Sequence, residues 1–312
     1  MNRREFIKGG ALAAAALMGG ASALAQGTLF GKGNNQCEEK PIRKGISLGM
    51  IQEGKTALEK FQIAKDCGID GLELTAPADD ESLKAWVAAS EATGVQVAGI
   101  MFGGNWSKNL SSPDPEARKE AIALITKALE QGRELQAPHV LVVPGVVNAG
   151  MDYEAAWKNS LEGFRELAPV AEKNKVKIGV ENVWNNFLIS PVEMAHYIDQ
   201  INSPWIGCLF DIGNIVRYGW PEHWVRALNR RIVNLHIKGF SSKLADTKGN
   251  WSGFGVEMTD EGDFDWKPVA QALKDIRYHG WLIAEVGGGK RERVQDISNR
   301  LEKMSKLIAE AK

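Results

Sequence analysis

Cysteine is scarce in this chain. Only Cys37, Cys67 and Cys208 occur among 312 residues. An odd count without motif spacing excludes a disulfide framework and a zinc knuckle. Cys67, near the end of a helix pattern, and Cys208, inside a strand pattern, read as small buried hydrophobes. An excess of either charge is also missing. The formal net charge is −1, so nothing draws the chain to nucleic acid or to an anionic membrane surface. There is no low-complexity tract and no internal repeat longer than a strand–helix unit. What remains is an ordinary globular composition, 44% hydrophobic and 25% charged, in a length that suits one large domain or two ordinary ones.

The N-terminus reads as an address label. Arg3-Arg4 precedes Phe6, Ile7 and Lys8, and an alanine- and glycine-rich apolar stretch runs from Gly9 to Leu24. Ala23 and Ala25 supply the small residues of a cleavage site. Residues 1–25 thus resemble a twin-arginine export signal. The alternative is an uncleaved anchor, against which the stretch is short and interrupted by glycine. Residues 26–43 read as a flexible tether. This reading makes the export machinery a partner, the periplasm the destination, and the mature protein free of a stable membrane anchor.

The remainder, residues 44–312, is close to the roughly 250 residues of a (β/α)8 TIM barrel. Short, continuous apolar runs at 45–50, 70–75, 95–101, 139–144, 177–181, 206–211, 232–238 and 281–285 read as strands buried on both faces. Helical patterns fill the gaps. Asp114-Pro115 predicts an N-cap followed by a first-turn proline, and Ser190-Pro-Val-Glu193 predicts a capping box. Strict alternation implies a parallel sheet with right-handed crossovers. Eight units and no glycine-rich first turn favour the closed barrel over an open doubly wound sheet.

Four residues stand out: Glu181, Asp211, His236 and Glu285. Each ends, or nearly ends, one of the last four apolar strands. Barrel enzymes carry their sites at that end of the strands. Three carboxylates and an imidazole converging there make a nest for one divalent cation. Side chains two apart on a strand share a face, so Lys238 joins His236 on the interior. Asn214 follows Asp211 on the next loop, where it either reaches the pocket or caps a helix. Glu73, inside Gly71-Leu-Glu-Leu74, is an acid across the barrel; it reads as a substrate contact or as an ordinary cap or salt bridge. Trp106, Trp184 and Trp251 fall in loops at the mouth, where a ring face can stack on a sugar or pack between loops.

Val180-Glu-Asn182, Phe210-Asp-Ile-Gly-Asn214, Leu235-His-Ile-Lys238 and Ala284-Glu285, with Glu261-Gly-Asp-Phe-Asp-Trp266 before the last strand, resemble the xylose-isomerase-like sugar isomerase/epimerase barrels over residues 44–308. The resemblance implies that Glu181, Asp211, His236 and Glu285 bind one divalent ion: Mn, Mg, Co or Zn, with manganese favoured. It further implies that Glu181 and Glu285 move a proton beside a substrate carbonyl while the metal stabilises the enediolate. The small-molecule partner is then a sugar. The chain departs from the ketose 3-epimerase members at two substrate-contacting places: Asn214 stands for a histidine and Lys238 for an arginine. These departures admit a second class, a lyase or hydratase of 3-keto sugars, which shares the first proton loss. A non-catalytic sugar-binding barrel is a third reading, disfavoured by the intact ligand set. The endonuclease members need a histidine-rich cluster of three metals, and five histidines do not supply it. Segment 239–265 reads as a lid or subunit contact, which makes a homo-oligomer an expectation. Gly287-Gly-Gly289 follows the last strand, where a neutral sugar and a mobile loop are expected rather than a phosphate.

Overall fold

The computed structural model describes residues 42–311, apart from 105, 107, 257 and 259–261. The export signal, Cys37 and all but the last two residues of the expected tether lie outside the described residues. In chain order the elements are β1 (Ile42–Ser47), α1 (Ala57–Asp66), β2 (Gly71–Thr75), α2 (Asp80–Thr93), β3 (Gln96–Met101), α3 (Pro115–Glu134), β4 (His139–Val142), α4 (Tyr153–Asn174) and β5 (Lys177–Glu181). There follow α5 (Pro191–Ile201), β6 (Ile206–Asp211), α6 (Ile212–Val216), α7 (Pro221–Leu228), β7 (Ile232–Ile237), α8 (Ser242–Lys248), α9 (Trp266–Asp275), β8 (Gly280–Ala284) and α10 (Arg291–Glu310). The eight strands pair in sequence order, all parallel, and β8 closes on β1. The expected (β/α)8 barrel is therefore the observed one.

The helix starts follow from capping chemistry. The Asp114 carboxylate accepts from the Glu116 N–H at 3.0 Å, with Pro115 at the first helical position. Ser190 accepts from Glu193 N–H at 3.2 Å. The reciprocal arm of the expected capping box goes elsewhere: Glu193 accepts from the Ile189 N–H and from the Tyr153 hydroxyl. Tyr153 thereby ties α4 to the loop that follows β5.

One strand differs from its expected place. β1 begins at Ile42, inside the expected tether, and residues 48–50 form a 3-10 turn. Two charges disguise the strand start. Lys44 is nonetheless buried, with its ammonium 3.2 Å from Glu302 and 3.3 Å from the Ser298 hydroxyl on α10. Pairing of Ile42 to Ile46 with Gly280 to Ala284 closes the barrel.

Alternation sorts the strand residues. Cys208, Phe210, Leu235, Leu282 and Ala284 join the large core between sheet and helices, as the buried-hydrophobe reading of Cys208 expects. Trp281 and Ile283 pack with Ala98 in a separate small cluster. Two glycines make room for the bulky side chains of this interior. A Cβ on Gly71 would collide with the Trp281 ring, and one on Gly99 with the His139 ring. The parity that turns Trp281 and Ile283 inward does the same for Glu285.

Candidate metal centre

Glu181 and Asp211 are the last residues of β5 and β6, and His236 is the penultimate residue of β7. Register sets Asp211 directly beside His236. Glu285 is one residue past β8, but its N–H still donates to Ile237 at 3.0 Å, so the ladder holds it. One donor atom from each of the four lies within 4.8 Å of all the others. Asp211 and His236 are fully buried, Glu181 nearly so, and the Glu285 side chain is 42% exposed. Glu285 is thus the member that faces the mouth.

Two buried atoms of this nest have no hydrogen bond: Asp211 Oδ2 and His236 Nδ1. His236 Nδ1 lies 3.5 Å from Glu181 Oε1 and 3.7 Å from Glu285 Oε2. Asp211 Oδ2 has the Lys238 ammonium at 2.7 Å without hydrogen-bond alignment. The other Asp211 oxygen caps α6, accepting from Asn214 N–H at 3.0 Å. Asn182 brackets the Asp211 backbone, accepting from its N–H and donating to its carbonyl, each at 2.8 Å. Asp211 is therefore rigidly presented, with Oδ2 held only by the Lys238 ion pair.

The electrostatics describe a site short of positive charge. Burial pushes the Glu181 carboxyl up to about 7, with Glu285 and Asp211 adding to the rise. Burial likewise raises Asp211. Burial also opposes charge on Glu285, yet the His236 imidazole and Lys238 ammonium outweigh it and hold Glu285 well below the usual carboxylate range. His236 is raised well above its ordinary value: the surrounding carboxylates, Glu73 foremost, overcome burial. Lys238 is raised in the same way by Asp211 and Glu285. Without a metal, the nest balances its carboxylates with protons and an ammonium. A nitrogen and an oxygen donor without hydrogen bonds, facing one point in a carboxylate-rich setting, fit a divalent ion. Loading an ion must then displace protons. An unbuffered titration of the apo protein with Mn²⁺ at pH 7 is expected to release at least about one proton per ion, and apparent affinity should rise with pH. Binding without proton release would contradict this account.

Glu73, the acid expected across the barrel, lies deep in its interior. It is 1% exposed, and His236 Nε2 lies 3.0 Å from its Oε1. Burial disfavours its charge, but His236 and His139 prevail and bring the carboxyl down to about 2. It stands behind the imidazole, in the salt-bridge arrangement of the alternative reading. Accepting the Nε2 proton leaves Nδ1 free for an ion, as carboxylates behind metal-ligating histidines do. Deeper in the barrel His139, kept neutral by burial, Asn234 and Tyr278 extend the polar chain, with contacts of 3.8, 3.4 and 3.3 Å. Glu73→Gln is expected to weaken metal binding about 10- to 100-fold. Competition with a fluorescent chelator measures this; unchanged affinity would separate Glu73 from ligand orientation.

Residues 61–307 match the model of the family described as Xylose isomerase-like TIM barrel. The chain belongs to this family. L-ribulose-5-phosphate 3-epimerase UlaE of Escherichia coli O157:H7 is 24% identical over 260 residues, which cover 79% of this chain and 88% of that protein. D-psicose 3-epimerase of Ruminiclostridium cellulolyticum is 26% identical over 283 residues, 83% of this chain and 90% of that one. Among solved structures, a 3-keto-D-glucoside 4-epimerase of E. coli, YcjR, superposes with a TM-score of 0.70 at 15% identity, over 86% of this chain and 100% of that one. The relatives are sugar epimerases, and the last comparison shows the shared barrel.

Around the nest, this family member carries its own mouth. The Lys238 ammonium bridges Asp211 and Glu285, at 2.7 and 2.5 Å, and sits 5.1 Å from the centre of the Phe254 ring. Gly213 allows this approach, since a Cβ there would collide with Lys238. The Asn214 side-chain amide donates to the Asn182 carbonyl at 2.8 Å, and the helix cap is Asp211, not Asn214. Trp184 donates its ring N–H to the Asn214 carbonyl at 2.7 Å. Its ring packs on Trp251, Phe254, Phe240 and Tyr218, with centroids 4.9 to 5.8 Å away. Trp184 and Trp251 thus share one aromatic wall. Trp106 is 55% exposed, and no ring contact joins it to that wall among the described residues. Phe240, Phe254 and Tyr218 escaped the sequence reading; only their place in loops after β6 and β7 hinted at them. The described residues of segment 239–265 supply Phe240, Trp251 and Phe254 to this wall, and are pinned by Ser241 N–H to Gly253 and Asp263 N–H to Phe240, both at 2.8 Å. The glycine run after β8 is anchored at its end to the loop after β1. Gly289 N–H donates to Met50, and Gly289 accepts from Gln52 N–H, both at 2.9 Å.

Proposed function

We propose that the protein is a metal-dependent sugar isomerase or epimerase that removes a proton beside a substrate carbonyl. The observation that carries this reading is the meeting of four donors from β5 to β8 within 4.8 Å at the strand ends. When bound, a divalent ion there supplies Lewis acidity beside the substrate oxygens. Glu181, Asp211, His236 and Glu285 would hold it, and Glu73 orients the imidazole from behind. Glu285 faces the mouth and is ionised, so it is the group positioned to take a proton from carbon. Glu181 shares the nest from β5 and, with its carboxyl pushed up to about 7, can hold and return one. Lys238, firmly cationic, offsets negative charge on the deprotonated sugar. Manganese is the proposed ion. Trp184 and Trp251 are the proposed stacking surfaces, and Trp106 and Asn214 lie at the rim.

A lyase acting on a keto sugar shares the first step. It is kept because the Asn214 amide is engaged with Asn182, leaving that place without the proton-carrying group which the ketose 3-epimerases have there. The Arg3-Arg4 signal supports a periplasmic place of work after twin-arginine export; assembly as a homo-oligomer is part of the same proposal. The test is solvent deuterium uptake by a panel of free ketoses and keto-glycosides, with the Mn²⁺-loaded and the chelated protein. Uptake that requires the metal supports the reading, and product analysis then separates epimer from eliminated sugar. No uptake across the panel would overturn it in favour of a binding barrel.

A further inference from the structure

Beside the nest lies a second recess that the proton chemistry does not use. It is a cavity of about 360 Å³ between the loop after β5 and the segment after α6, walled by Trp184, Leu188, Ile215 and Tyr218, and lined also by Asn186 and Asn214, whose amide nitrogens donate to the Val147 and Asn182 carbonyls. This volume is at the lower end of small-molecule sites. The cavity shares walls with the nest. Asn182 and Asn214 line it, and both hydrogen-bond Asp211 on their other side. One continuous aromatic wall borders both: the Lys238 ammonium lies 5.1 Å from Phe254, Phe254 5.0 Å from Trp184, and Trp184 5.8 Å from Tyr218. No lysine, arginine, aspartate or glutamate lines the cavity, so its side chains suit a neutral occupant and offer no charge to balance a phosphate. The loop is shaped rather than slack: Asn186 and Leu188 adopt left-handed φ of 58° and 55°, and the Tyr153 hydroxyl accepts from Leu188 N–H at 2.9 Å.

We infer that the substrate is a neutral glycoside of two joined rings, the reacting ring lying at the nest and the second ring in the cavity beside Trp184 and Tyr218. The inference rests on the proposed sugar chemistry and narrows its substrate class. A glycosidic bond locks the anomeric carbon, so the carbonyl that acidifies the C–H is a ketone on the ring. Trp184 and Tyr218 receive the apolar face of the second ring, and the side-chain oxygens of Asn186 and Asn214 accept from its hydroxyls.

The test separates binding from turnover. Binding of methyl β-glucoside, phenyl β-glucoside and cellobiose to the Mn²⁺-loaded protein is followed by tryptophan fluorescence, and deuterium uptake is followed with the ring-keto forms. The two-ring ligands should bind at least tenfold tighter than methyl glucoside. Tyr218→Ala should remove that advantage without changing methyl glucoside binding. Trp220→Ala, equally exposed but outside the cavity lining, should keep it. Equal binding of one- and two-ring ligands by the unaltered protein would overturn the inference, even if deuterium uptake upholds the proton chemistry. A two-ring preference with no uptake of deuterium would sustain the cavity's role and sink the catalytic reading instead. If Tyr218→Ala changes the sedimentation of the protein but leaves the preference intact, the exposed face covers a second copy and the inference falls.

Discussion

Asp211→Asn is expected to lose divalent-ion binding by more than about 100-fold, beyond the effect of removing a group behind a ligand. The choice of asparagine matters. Asp211 does two jobs with two oxygens: Oδ1 caps α6 through Asn214 N–H, and Oδ2 faces the nest, where it has no hydrogen bond and only the Lys238 ammonium at 2.7 Å. Alanine would remove both, and loss of the cap alone costs about 1 kcal/mol. Asparagine keeps an oxygen for the cap and removes the charge. The apo protein should therefore unfold at nearly the same temperature, while stabilisation by added Mn²⁺ disappears. For the unaltered protein that stabilisation is about 2.7 kcal/mol at 100 times Kd. Elemental analysis after gel filtration gives occupancy, and calorimetry with and without metal gives the stability arm. Full occupancy in the variant would mean that the four donors do not share an ion.

Much of this site was legible in the sequence for one reason. A parallel barrel buries both faces of its strands, so an acid at the end of an apolar run has nowhere to go but the common mouth. Glu181, Asp211, His236 and Glu285 follow that rule, and Lys238 follows from period-two alternation. Glu73 shows where the rule stops. An acid in an apolar strand signals the interior but not the depth. Pairing between β2 and β3 slips at Leu72/Glu73, and the partner imidazole is 163 residues away. The displaced start of β1 has a similar cause, because the burial of Lys44 depends on Glu302 and Ser298 on the last helix. The aromatic wall was half legible. Trp184 and Trp251 are conspicuous by type, but Phe254 and Tyr218 join them only through the folding of loops whose path no periodicity encodes.

Glu285→Gln should separate holding an ion from moving a proton. Glutamine preserves the shape of the side chain and one donor oxygen, and the other three ligands are untouched. It cannot accept a proton from carbon. Glu285 is the nest residue most open to the mouth, with its side chain 42% exposed, and it is kept ionised by His236 and Lys238. A base so placed contributes about 10²- to 10⁴-fold to proton transfer. Deuterium uptake into a responsive sugar should fall by that factor, while Mn²⁺ occupancy at saturating metal stays near that of the unaltered protein. Part of the loss should lie in the Lys238 contact at 2.5 Å, because a neutral amide no longer anchors the ammonium. Lys238→Met in the same assay measures that share, and it should be the smaller one, since Lys238 touches charge rather than the departing proton. Exchange within tenfold of the unaltered rate in Glu285→Gln would move the base to Glu181. The paired variant Glu181→Gln would then show the large loss, and the assignment of the mouth-facing carboxylate would be reversed.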